Sequence, residues 1–236
     1  MGTRALRILL AALALALSGC AEKAARLHRA NDAFPDSPAG TIAFTSLGPG
    51  DFILDGRDLF VEDLKIYSED VHPALAARVD SLLGKWAEEN LGAKVRLPSA
   101  DSLGLPESEK RRVEGRVFVP VRWPWPGDSL RSGETVPDVV LLVGELTLGF
   151  DLQARSLYDY ELANTYTEPG EKPETLSALL VWTLWDNRLQ QYRAYGVAQA
   201  SAPLVRPLSF GAIDALCKRL FLDVQRQSRL YPEIEP

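Results

Sequence analysis

The chain has 236 residues, 26 basic and 32 acidic, and its net charge of −6 becomes −8 if Arg4 and Arg7 are lost with a cleaved N-terminal segment. Such a surface is expected to repel nucleic acid and anionic headgroups, and no local Lys/Arg cluster is expected to reverse the sign, so nucleic acid is excluded as a partner. With 46% hydrophobic and 25% charged residues, the remainder is globular and long enough for one good core or two small ones.

Met1 to Arg7 carries two arginines and no acid, and Ile8 to Leu17 is an unbroken run of Ile, Leu and Ala. This is the charged and then apolar pattern of an export signal. The run is too short for a bilayer core of about 30 Å, which needs roughly 20 apolar residues. Directly after it stand Leu17-Ser18-Gly19-Cys20, which resemble the lipobox of bacterial lipoproteins at all four positions. The resemblance implies a signal peptide over 1–19, cleavage before Cys20, a diacylglycerol thioether on that cysteine and usually an acylated amino group. Two or three acyl chains, at about 0.8 kcal/mol per buried CH₂, anchor a protein far more firmly than one. The alternative is an ordinary secretory signal with Cys20 near its cleavage site. By the same resemblance, Ala21 in place of Asp implies outer-membrane sorting, facing the periplasm, in a cell with two membranes. Once Cys20 carries lipid only Cys217 remains, so no intrachain disulfide forms.

Residues 20–57 read as the lipidated N-terminus and a tether, and 58–236 as the folded domain. Over Asp58 to Tyr67, Phe60, Leu64 and Ile66 at period two predict a strand. From Pro73 to Leu91, Leu75, Val79, Leu82, Leu83 and Trp86 predict a helix that Pro73 opens and Gly92 stops. Lys94 to Leu97 reads as a short strand and Glu107 to Glu114 as a short polar helix. Arg116 to Arg122 reads as a strand demoted to an edge by Pro120. Val139 to Val143 implies burial on both faces, and the alternation through Leu146, Leu148 and Phe150 implies one face emerging into water. Further strands are predicted at Leu157 to Leu162, Ala178 to Trp185 and Leu189 to Ala200, with a turn at Asp186-Asn187. The last strand has a small-residue face (Ala194, Gly196, Ala198, Ala200) that lets a helix approach, and Ser209 to Arg229 supplies one.

The expected fold is a single α/β domain: a mixed sheet with an antiparallel C-terminal meander and helices packed on it. This order, with the apolar strand ending in Trp185-Asp186 and the return strand through Gly196, resembles the α/β module of the curli-secretion lipoprotein and the outer-membrane activators of penicillin-binding proteins, over roughly residues 58 to 229. The resemblance implies a non-enzymatic scaffold, secretion or regulatory role through protein contacts.

Catalytic chemistry finds little to work with. His28 lies in the tether and His72 beside Pro73, where it suits the start of a helix. No His/Cys set for zinc is apparent, Cys217 sits on a helix stripe as a core residue, and no cofactor motif is present. Glu145, Asp151, Asp159, Glu161 and Asp186 lie on or beside the meander, where carboxylates ordinarily solvate strands and form turns, so no catalytic residue is assigned. Trp123 and Trp125, in a loop rigidified by prolines on either side of Trp125, suit glycan stacking or protein docking, unless both rings fold back as a lid on the core. Trp86, Trp182 and Trp185 are read as core. The preferred reading is a membrane-anchored adaptor or assembly component that binds another envelope protein; the alternative is a glycan- or lipid-binding module using the Trp123/Trp125 loop.

Overall fold

The computed structural model describes residues 27–29, 40–113, 117–152 and 173–230. Cys20, the expected signal segment and the strand expected at Leu157 to Leu162 lie outside the described residues. The strands are β1 (Leu27–Arg29), β2 (Ile42–Thr45), β3 (Phe52–Leu54), β4 (Val95–Leu97), β5 (Glu107–Val113), β6 (Val117–Arg122), β7 (Val139–Phe150), β8 (Thr175–Asp186) and β9 (Gln191–Pro203). The helices are α1 (Arg57–Leu64), α2 (Ser68–Leu91) and α3 (Phe210–Ser228).

Seven strands form one mixed sheet in the order β1-β9-β8-β7-β2-β4, with β3 also pairing β7; β5 and β6 form a separate hairpin. The β7-β8-β9 pairings are antiparallel, whereas β2 and β3 run parallel to β7, and β4 parallel to β2. The single α/β domain with a mixed sheet and antiparallel C-terminal strands is therefore as expected. Its start is not. Ile42–Thr45 and Phe52–Leu54, read as tether, are strands of the sheet, and Ile42, Phe44 and Phe52 belong to the main core.

Both α2 and α3 pack on one sheet face. Leu75, Val79, Leu83 and Trp86 from α2 and Ile213, Leu216, Leu220, Phe221 and Val224 from α3 meet Leu141, Leu180, Trp182 and Ala198 in a continuous core. The other face is not open to water, contrary to expectation. Two smaller clusters cover it, joining Val121, Leu130, Leu97 and Trp123 to Val140, Leu142, Val181, Trp185 and Val197. The result is three layers: helices, sheet, and a hairpin with the loop that follows it.

Two bulges set which side chains reach which layer. In β7 Val143 pairs Trp182 while Leu146 pairs Leu180, so Gly144 and Glu145 together oppose one residue. The extra residue reverses strand parity, which is why odd positions 139–143 and even positions 146–150 both face the helices. Gly144 suits this position because a Cβ there would lie 3.1 Å from the Val181 carbonyl oxygen. In β9, Leu184 pairs Ala194 while Trp185 pairs Tyr192, leaving Arg193 as the extra residue. Tyr192 and Tyr195 then both belong to the face opposite the helices.

Other departures have local causes. Asp58 to Leu64 is helical because Phe60 and Leu64 are one helical turn apart, with left-handed residues at both ends (Gly56, φ 72°; Lys65, φ 58°) to start and stop the turn. The second helix begins five residues before Pro73, which sits exposed in its second turn and leaves the Glu69 carbonyl without its i→i−4 partner, a loss that the buried stripe of the helix outweighs. Glu107–Val113 is a strand rather than a polar helix because it pairs with β6, a tertiary contact that overrides its local preference. Pro120 lies in that hairpin, opposite Lys110, and not on an edge of the main sheet.

The outer edge of β9 is managed by α3. Beyond the short pairing with β1 at Ala194–Gly196, the Gln227 side chain donates to Val197 O (3.1 Å), Gln199 N–H donates to Asp223 (3.1 Å), and Arg219 donates to Ser201 O (3.4 Å). Side chains thus take up backbone groups that would otherwise invite another strand.

Candidate docking site at the Trp125 loop

The site is built from the turn between β8 and β9. Asp186 is fully buried; it accepts hydrogen bonds from the backbone N–H of Arg188 (2.8 Å) and Leu189 (3.0 Å) and pairs with the bulged Arg193 (Nε 2.6 Å). Asn187 reaches out of the same turn into the 123–137 loop. Its Oδ1 accepts from Leu130 N–H (2.8 Å), and its Nδ2 donates to Leu130 O (2.8 Å) and Pro137 O (2.6 Å). One side chain therefore pins two points of the loop to the sheet.

The two tryptophans separate. Trp123 lies stacked on Tyr192 (4.6 Å between centroids, 20°) and tilted on Tyr195 (5.9 Å), closing the layer behind the sheet. Trp125 is 66% exposed. Asp128 N–H donates to Trp125 O (3.0 Å), and Gly127 at φ 96° completes the turn. The expectation that the rings act as a pair is corrected: one is lid, the other surface, because the β9 bulge supplies an aromatic seat for Trp123 alone.

Trp125 stands beside an open concavity of about 510 Å³ lined by Leu103, Leu105, Leu130, Arg131 and Gln190 among others. Two further large apolar residues near the Asn187 hub are exposed, Leu189 at 62% and Val136 at 54%. The opposite wall, the turn after β4, is tied down by Arg122, which pairs with Asp101 and lies 3.6 Å from Asp51. Asp51 is 4% exposed; burial, then the Asp101 charge, push its carboxyl above the ordinary aspartate range, against the pull of Arg122. Both walls are thus held from behind, so the surface is preorganised.

Two of the carboxylates considered for catalysis are used structurally. Asp186 holds its turn, and Asp151 accepts from Thr175 N–H (2.8 Å) and Thr175 Oγ1 (2.7 Å) where β8 begins. Asp159 and Glu161 lie outside the described residues. His72 joins α2 to β3, its Nε2 2.9 Å from Phe52 O and its ring edge-on to Phe52. Trp86, Trp182 and Trp185 are core, as read, and Cys217 is fully buried, its thiol pushed up to about 12 by that burial. Among the described residues no group of three or more His, Cys, Asp or Glu could hold a metal ion. The turn-and-bulge network at Asp186-Asn187 was the part that sequence reasoning missed; only the Asp-Asn dipeptide pointed to it, and as a turn alone.

Fold and site together define a three-layer α/β domain that bears, among the described residues, a preorganised concavity flanked by an exposed aromatic ring. In comparison with known proteins, no family model matches the chain and no curated protein matches it.

Proposed function

We propose that the protein is a lipid-anchored envelope adaptor, held to a membrane through Cys20, which binds another envelope protein through the Trp125 surface. The observation that carries this reading is the contrast at Trp125. A large ring sits 66% exposed on a loop fixed by Asn187, beside a concavity whose other wall is fixed by Arg122. Exposed aromatics on rigid backbone are the residue type that dominates protein-docking energetics, because little conformational entropy is lost when they are covered. Leu189 and Val136 extend the apolar area, and Arg131 and Gln190 supply polar groups at its rim. A glycan platform of two stacked tryptophans is disfavoured, since Trp123 is already covered by Tyr192.

The test has two parts. Acylation is read by the mass of the N-terminal peptide, with Cys20→Ala expected to lose both the acyl mass and membrane retention. Docking is read by a photo-crosslinking residue at position 125 in cells, with position 85, exposed on α2, as control. One envelope protein crosslinked from 125 and not from 85 supports the adaptor reading; an acylated protein with no crosslink from 125 overturns it.

A further inference from the structure

The chain as a whole is acidic, yet its closing helix is not acidic on the outside. The exposed positions from the second turn of α3 onward are Ala215, Lys218, Arg219, Leu222 and Arg226, with Arg229 at the cap, and none is an acid. At about 100° per residue these six fall within an arc of roughly 100°, and at about 1.5 Å rise they extend over roughly 21 Å. Asp223 is turned to the sheet edge, where it accepts from Gln199 N–H and Gln227 Nε2 (2.8 Å), with Arg226 3.9 Å away. Asp214 is engaged by Arg78 (2.6 Å). The neighbouring helix α2 has the opposite character, exposing Glu69, Asp70, Glu88 and Glu89 against a single Lys85. A sequence whose cations are scattered thus folds to gather four of them on one ridge.

A second observation says what lies against that ridge. Strand β1 pairs antiparallel with β9, Leu27 opposite Gly196 and Arg29 opposite Ala194. The N-terminal end of β1, at Leu27, is therefore directed toward Val197 and the part of β9 that α3 flanks. Only six residues separate Leu27 from Cys20, so the acylated cysteine can stand at most about 24 Å from Leu27. The remaining segment is too short to carry the domain clear of the bilayer.

We propose that the exposed face of α3 is a membrane-contact surface for anionic phospholipid, which together with the lipid on Cys20 holds the domain in one orientation. The inference rests on the lipid-anchor reading. Lys218, Arg219, Arg226 and Arg229 face the headgroups, and Leu222, 41% exposed at the centre of the arc, meets the interface. Four cations near an anionic surface bias the orientation by about a thousandfold, and the acidic remainder of the surface adds to that bias by repulsion. The hairpin-and-loop layer lies across the sheet from α3, so this orientation leaves the Trp125 concavity free.

The test uses the full acylated protein in vesicles of phosphatidylcholine alone or of phosphatidylcholine with phosphatidylglycerol, with a fluorophore on Leu222→Cys or, as control, on Lys85→Cys. Cys217 needs no replacement because it is fully buried. Quenching by brominated acyl chains is expected to be several-fold stronger at 222 in the anionic vesicles than in the neutral ones, weak at 85 in both, and lost with Arg219→Glu/Arg226→Glu. An acylated protein that floats with the vesicles yet shows 222 as aqueous as 85 overturns the inference while leaving the anchor standing. Equal quenching in both vesicle types, or protection of 222 only after another envelope protein is added, also overturns it. A protein without the acyl mass refutes the anchor and the inference with it.

Discussion

Asn187→Ala should be among the most damaging substitutions outside the main core, and it tests whether the Trp125 loop is preorganised as described. Asn187 is 5% exposed, and its side chain makes three hydrogen bonds, to Leu130 N–H, Leu130 O and Pro137 O. Truncation leaves those three backbone groups without their partner. At about 1 kcal/mol of net contribution each, the loss is about 3 kcal/mol, which for a domain of this length lowers Tm by about 6–12 °C. Asn187→Asp should be no milder, because a carboxylate retains the acceptor for Leu130 N–H but faces two carbonyl oxygens that need a donor. Urea midpoints give the stability change, and amide exchange at Leu130 gives the local one, where protection should fall toward that of an open loop. A variant within about 0.5 kcal/mol of the parent, the size of an ordinary surface substitution, with Leu130 still protected, would refute the reasoning.

Gly149→Ala should destabilise by about 1–3 kcal/mol, because the added Cβ would lie 2.8 Å from Asp55 Cβ and 3.2 Å from its carbonyl oxygen; denaturant midpoints check it, and an unchanged midpoint would show that the β3–β7 region yields easily. Cys217 should resist alkylation in the native protein at mildly alkaline pH and react fully once unfolded, given complete burial and a thiol pushed up to about 12; mass spectrometry before and after denaturation distinguishes the cases. Because the carboxyl of Asp51 titrates above its ordinary 3.8 in the fold, its share of stability is fullest below that value and is lost as pH rises through the raised one. Asp51→Asn should therefore gain in stability relative to the parent as pH rises from about 4 through the raised titration of the buried carboxyl, and parallel pH profiles of the two proteins would contradict the burial argument.

Much was legible in the sequence because it is carried by local pattern. The amphipathic stripe of α3, with Ser209 at its N-cap accepting from Ala212 N–H (3.2 Å), the stop of α2 at Gly92, the buried runs of β7 and β8 and the turn at Asp186-Asn187 all depend on residues a few positions apart. The mixed α/β class follows from their order. What the tertiary structure alone decided involves partners distant along the chain. β2 and β3 are too short to show a period, and they are strands because β7 lies beside them. The β5–β6 hairpin covers the second sheet face, so the alternation of β7 did not mean exposure. Trp123 and Trp125, two residues apart, part company because Tyr192, some seventy positions later, is turned by a bulge to receive only the first. The cationic ridge on α3 is invisible in a net charge of −6, since charge counts ignore direction and only the packed helix turns those four side chains the same way.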